Sequence, residues 1–184
     1  MPSYWNSLMM KAWRAAQLAF CGAVVLTAAG CGEVQPGMPA DFCHVDIDNS
    51  VLAPLVPNGD SLEQKYTPFE SNPGAQCDLS VDGRGVLSVA VRRWDRAPDP
   101  TDWDKAGSPY KYAAQRKVTF PGHASIGSSR AVVEATCNTR NAHVSVVVDF
   151  WGDRVENNPT GYKKLQRFVN DFVPRETKKF HCTN

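Results

Sequence analysis

Six cysteines, at positions 21, 31, 43, 77, 137 and 182, and four histidines, at 44, 123, 143 and 181, are the side chains best suited to thiolate, metal or acid–base chemistry. Their spacing argues against most of it. No two cysteines stand in C-x-x-C, so neither a thioredoxin-like redox site nor a zinc knuckle is encoded. No two histidines have the i, i+4 helical spacing of a zinc site. His44 and His181 each adjoin a cysteine and come together only if the chain ends meet. His123 falls in a Pro-Gly turn, and His143 opens a strand on the face opposite Val144, where a side chain is expected to meet solvent. There is no G-x-S-x-G, and Gly127-Ser128-Ser129 reads as loop. The acidic groups Asp99, Asp102, Asp104 and Asp149, Asp153 could seat a hard cation, but the twelve-residue calcium-loop pattern is missing. The expectation is no cofactor and no metal. What remains is aromatic: Trp94, Trp103, Tyr110 and Tyr112 flank or occupy a long middle loop, and Trp151 ends a strand on its polar face. Trp and Tyr offer large contact area with a polar tip, so Trp94, Trp103, Tyr110 and Trp151 form a candidate binding surface. The plainer reading is that they cover the open face of a sheet.

The N-terminal stretch is of a different kind. Its first thirty residues carry only Lys11 and Arg14 as charges, and from Ala15 to Gly30 there is none. A positive start, an apolar run and a small-residue end make a secretory signal over residues 1–30. The apolar run falls short of the roughly 20 residues a membrane span needs, although a retained signal-anchor is the competing reading. The run ends Leu26-Thr27-Ala28-Ala29-Gly30-Cys31, and small residues ahead of a cysteine resemble the lipobox of bacterial lipoproteins. That resemblance implies diacylglyceryl transfer to the Cys31 thiol and a lasting hold on the membrane through several acyl chains. The alternative is an ordinary cleaved signal with Cys31 as a further thiol. Losing residues 1–30 removes two basic residues and no acidic one, leaving the mature chain at about −1. So even a balance argues against nucleic acid as a partner.

Residues 31–42, with two prolines and two glycines, read as a flexible stalk, and 43–184 as one extracytoplasmic domain. Asp48 caps a short helix through Val51 and Leu52 that ends at Pro57-Asn58-Gly59. Ala75–Val81 and Val86–Trp94 alternate as strands across Asp82-Gly83, a hairpin turn signal. Residues 96–109 form the long loop, 110–120 fit helix or strand equally well, and 121–129 are rich in turn residues. Arg130–Cys137 and His143–Trp151 make the clearest hairpin, with Val144, Val146, Val148 and Phe150 on one face. Thr160–Val173 places Tyr162, Leu165, Phe168, Val169 and Phe172 at helical spacing, with Pro174 as the stop. The expected class is α+β: an antiparallel sheet covered on one side by helices, with two disulfides.

Once Cys21 leaves with the signal and Cys31 takes the lipid, Cys43, Cys77, Cys137 and Cys182 remain, an even number in an exported domain. Four cysteines allow three connectivities; sequential pairing is favoured because it ties an early segment to a strand and a late strand to the chain end. Cys43 before a short helix, Cys77 on an early strand, Cys137 ending a late strand and Cys182 after the last helix resemble the small four-cysteine lipoproteins of unknown function of actinobacteria. The resemblance implies an extracytoplasmic lipoprotein with Cys43–Cys77 and Cys137–Cys182 bonds, and no activity. The functional expectation is a membrane-anchored, non-catalytic binding module at the cell envelope, engaging an envelope protein or a small ligand. The alternative is an envelope hydrolase of glycan or peptide using carboxylates from residues 95–104 or Asp149. Non-reducing peptide mapping should show 43–77 and 137–182 cross-links; a 43–137 or 77–137 peptide would overturn the sequential pairing.

Overall fold

The computed structural model describes residues 37–106, 109–139 and 141–182. The signal segment and the Cys31 lipidation site lie outside the described residues, as does the stalk as far as residue 36. The described part of the chain is mostly β. Seven strands form one antiparallel sheet: β1 Leu62–Pro68, β2 Gly74–Val81, β3 Arg84–Trp94, β4 Ala114–Gln115, β5 Gly122–Ile126, β6 Arg130–Thr136 and β7 His143–Phe150. Their spatial order is β1-β2-β3-β7-β6-β5-β4, two meanders that meet where β3 pairs with β7. Among the described residues helices are few: α1 Asn49–Leu52, α2 Trp103–Ala106 and the long α3 Tyr162–Lys179, with a 3-10 turn at Ala53–Leu55.

Period-2 alternation divides the sheet into an apolar and a polar face. Cys77, Val89, Val148 and Ala131 follow one another across β2, β3, β7 and β6 in register, and all four are buried. Val91, Val146, Val133 and Ala124 form the next row. Leu165, Phe168, Val169, Phe172 and Val173 of α3 are buried too, and α3 packs against β5, β6 and α1. Phe42 is fully buried, its ring 5.9 Å from those of both Phe168 and Phe172. The folded part therefore reaches back to Phe42, inside the segment read as stalk. Asp48 caps α1 as expected, its Oδ1 accepting from Ser50 N at 2.8 Å. Hydrogen bonding from the Ser50 backbone, and then from its side chain, holds the Asp48 carboxyl below its ordinary value.

The β2–β3 turn follows its sequence signal. Asp82 and Gly83 both have positive φ, 51° and 72°, as a two-residue turn with the twist of a hairpin requires. Asp82 Oδ1 also accepts from Ser61 N at 2.9 Å and Asp60 N at 3.0 Å, which seats the entry to β1 and lowers the Asp82 carboxyl below its usual range. Disulfides join Cys43 to Cys77 and Cys137 to Cys182, with Cα atoms 5.6 and 4.3 Å apart, in the favoured sequential pairing. Closing loops of 34 and 45 residues stabilises the fold by about 4 kcal/mol each on the chain-entropy model.

Three expectations need correction. Leu62–Pro68 is a strand where none was expected, because its largely exposed side chains leave little alternation to read. Gly122–Ile126 is also a strand, hidden between Pro121 and Gly127; a Cβ on Gly122 would sit 2.1 Å from Glu134 O, and its φ is 146°. Finally, Pro174 does not stop α3, which runs on to Lys179. Proline lacks the N–H that the carbonyl of residue i−4 expects, here Asn170. Thr119 supplies a substitute: its Oγ1 donates to Asn170 O at 3.4 Å, and its N donates to Asn170 Oδ1 at 3.1 Å. Gln166 Nε2 donates to Lys117 O at 2.8 Å, one turn earlier. The segment before β5 thus clasps α3 where its own hydrogen bonding is interrupted. Phe42→Ala should cost about 3–5 kcal/mol in urea unfolding, the range for emptying a large aromatic site; a loss below about 1 kcal/mol would show that Phe42 is not part of the core.

Candidate functional site

The polar face of the sheet gathers most of the residues singled out by type. Its rows follow from the register. Asp78, Ser88, Asp149 and Arg130 lie side by side across β2, β3, β7 and β6. Ser88 Oγ donates to Asp78 Oδ1 at 2.6 Å, Gln76 Nε2 donates to the same oxygen at 3.0 Å, and Arg130 Nη1 meets Asp149 Oδ1 at 2.5 Å. Arg130 and Asp149 are half-buried, where a paired charge is screened less than at the surface. Two rows further along stand Arg92, Ser145, Glu134 and His123, and then Trp94 beside His143.

Residues 95–113 connect β3 to β4, and three aromatic contacts fasten this connection to the polar face. Trp94 donates from Nε1 to Ser145 Oγ at 2.9 Å and lies stacked on His143 with centroids 6.3 Å apart; the Arg96 guanidinium sits 5.2 Å from the Trp94 ring. Trp103, on α2, stacks on His123 at 5.7 Å. Tyr110 lies over the Arg130 guanidinium at 4.8 Å. His143 is accordingly buried rather than turned to solvent: it is 7% exposed, and its Nδ1 lies 3.0 Å from Arg96 O. A carbonyl there requires the proton on Nδ1. Strand alternation placed His143 on the right face, but the loop that closes over that face gives no periodic signal.

Of the four candidate aromatics, three therefore hold the loop down, and Trp151 stands apart. It is 63% exposed, two residues beyond Asp149 on the same face, above Gly85 of the β2–β3 hairpin. Of the five carboxylates considered for hydrolysis, Asp95, Asp99, Asp102, Asp104 and Asp149, all but Asp104 are held in separate ion pairs. Asp95 bonds Arg93, Asp99 bonds Arg96, Asp102 bonds Lys105, and Asp149 bonds Arg130.

Two cavities accompany this face and its reverse. An open depression of about 470 Å³ lies between α2 and β4–β5, lined by Asp104, Gln115, Arg116, Lys117 and His123. A smaller cleft of about 150 Å³ lies where the end of α3 meets β1–β3, lined by Tyr66, the Cys43–Cys77 bond, Val89, Glu176 and Lys179. Each holds a single carboxylate. Glu176 is 3% exposed, and burial pushes its carboxyl above the ordinary value against the pull of Lys179 and His44. Lys179 Nζ donates both to Glu176 Oε1 and to Cys43 O, each at 3.1 Å, joining the last turn of α3 to the first disulfide. Sequence reading missed Glu176 because α3 was expected to stop at Pro174. The signal was present in Val173, Thr177 and Phe180, which continue the helical spacing past the proline. Among the described residues no group of three or more histidine, cysteine or acidic side chains is placed to hold a metal ion. No family model matches the chain, and neither curated proteins nor solved structures give a match.

Glu176 makes stability depend on pH in a defined direction. Its folded carboxyl holds a proton at pH values where the unfolded one has lost it, so stability declines as pH rises from the ordinary glutamate range through the raised folded value. Thermal melts of Glu176→Gln across that window should lack this decline. An identical decline in the variant would assign it to another group.

Proposed function

We propose that this chain is an extracytoplasmic lipoprotein, held on the membrane through Cys31, whose domain is a non-catalytic binding module. In this reading α1 and α3 serve as the cover of the apolar sheet face, and the polar face is the one left to engage a partner in the envelope, a protein or a small ligand. The observation that carries the binding role is Trp151: a tryptophan 63% exposed beside the Asp149–Arg130 pair, while Trp94, Trp103 and Tyr110 are occupied with the loop. Large exposed aromatics next to a charged pair are the usual anchors of recognition surfaces. The anchor is supported by Ala28-Ala29-Gly30-Cys31 after an uncharged run. The two disulfides suit an oxidising compartment. The four-cysteine actinobacterial lipoproteins remain the family that the cysteine placement resembles. Hydrolysis has less support, since four of the five carboxylates named for it are spread over separate ion pairs and the fifth, Asp104, is the single carboxylate of its depression.

Two measurements test the reading. Membrane-extracted protein should carry an acylated mass that the Cys31→Ser variant lacks; an unmodified thiol at Cys31 would overturn the anchor. A photo-crosslinking residue in place of Trp151 should capture one discrete adduct in intact cells, and the same residue in place of the exposed Glu70 should not. A turnover reaction abolished by one substitution on the polar face would overturn the non-catalytic role.

A further inference from the structure

β1 ends the sheet on one side, and every residue after Leu62 in it is exposed. Its pairing with β2 fixes the direction of each backbone group. Asp82 N donates to Ser61 O at one end of the ladder, and Phe69 N donates to Gly74 O at the other. Antiparallel ladders alternate, so Glu63, Lys65 and Thr67, in phase with Ser61 and Phe69, turn their N–H and C=O groups toward β2. Leu62, Gln64 and Tyr66 turn theirs outward. An outward row of this kind is a template for another strand.

We propose that this row pairs with the same row of a second copy of the chain, antiparallel, about a two-fold axis through Gln64. Three features select that occupant and that register. First, Gln64 opposite Gln64 and Leu62 opposite Tyr66, in both directions, use all three outward pairs of backbone groups. An axis at Tyr66 would instead set Pro68, which has no N–H, opposite Gln64. Second, the same axis sets Glu63 opposite Lys65 of the second copy, twice, on the polar side of the joined sheet. These are non-hydrogen-bonded positions, where side chains approach most closely. Third, Leu62 meets Tyr66, which is 42% exposed, on the other side. Exposed ion pairs add little affinity, so Glu63 and Lys65 select the register and the ladder holds it.

The axis stands normal to the sheet, so both copies turn the same face the same way. Gln64 Nε2 donates to Asp41 O at 2.9 Å, and Gln64 Oε1 accepts from Cys43 N at 3.3 Å. The incoming chain of both copies thus lies close to the axis, on one side of the joined sheet. This suits two chains tethered to one membrane, a point that rests on the anchor proposed above; the pairing itself does not. The interface is isologous and closes on itself as a dimer.

The test uses full-length protein extracted in detergent, with oligomeric state read by sedimentation velocity and by amine–carboxyl cross-linking. Wild type should sediment as a dimer. Glu63→Lys and Lys65→Glu should each lose the dimer, because each sets like charges opposite one another twice. An equimolar mixture of the two variants should regain it, since every opposed pair then has opposite sign. Regain in the mixture also excludes misfolding as the cause of loss, including any effect of setting an acid opposite Asp78 on β2. A monomeric wild type, dimers of either variant alone, or a mixture that stays monomeric would each overturn the proposal.

Discussion

A sheet with one apolar face is unstable in water until something lies on that face, and most of this structure answers that requirement. The rows through Val89, Val148 and Val91, Val146 are fully or nearly fully buried. At about 25 cal/mol per Å² their removal from water is the dominant favourable contribution to folding. Segments from both ends of the chain join the same buried core: Phe42 comes from the N-terminal side, and Phe168 and Phe172 stack on each other at 5.3 Å from the C-terminal side. Each end is then bonded to the sheet, Cys43 to Cys77 in β2 and Cys182 to Cys137 just past β6. Lys179 bridges the two ends by donating to Cys43 O. The disulfides and the aromatic triad thus act on one problem, the attachment to the core of terminal segments that would otherwise fray.

The parts of the fold that were legible in the sequence are those whose signal is local. Asp82-Gly83 announces its hairpin because few other residues take two consecutive positive φ angles. His143–Phe150 announces its strand because Val144, Val146 and Val148 must all face the core. β1 was not legible, since an edge strand with Glu63, Lys65 and Thr67 on one side and Gln64 and Tyr66 on the other shows no hydrophobic period. Nor was the run of α3 past Pro174. That depends on Thr119, some fifty residues away in the chain, meeting a carbonyl that the proline leaves open. Long-range compensation of a local rule leaves no trace in a window of neighbouring residues.

The candidate site divides in the same way. Residue type picked out Trp94, Trp103, Tyr110 and Trp151 together, and only position in the fold separates them. Arg96 lies over Trp94 and meets His143 through its carbonyl, Trp103 stacks on His123 and Tyr110 lies over Arg130, and these contacts order a proline-rich loop with little regular structure of its own. A loop pinned at three points loses its conformational freedom on folding and not on binding, so the polar face beneath it is shaped before any partner arrives. His143 shows the same effect from beneath, with its ring proton committed to Arg96 O.

The Cys43–Cys77 bond has a mechanical consequence as well as a thermodynamic one. Tension applied to the chain ahead of Cys43 passes through the sulfur atoms directly into β2, which is paired on both sides, with β1 and with β3. The covalent path of the load leaves out the chain between the two cysteines, α1 and β1 included. A pull on the leading segment therefore reaches the sheet at a strand held on both sides, and not at β1, where the sheet could open one bond at a time from its edge. The outermost strand stays slack while the domain is under strain, free to keep whatever neighbour it has.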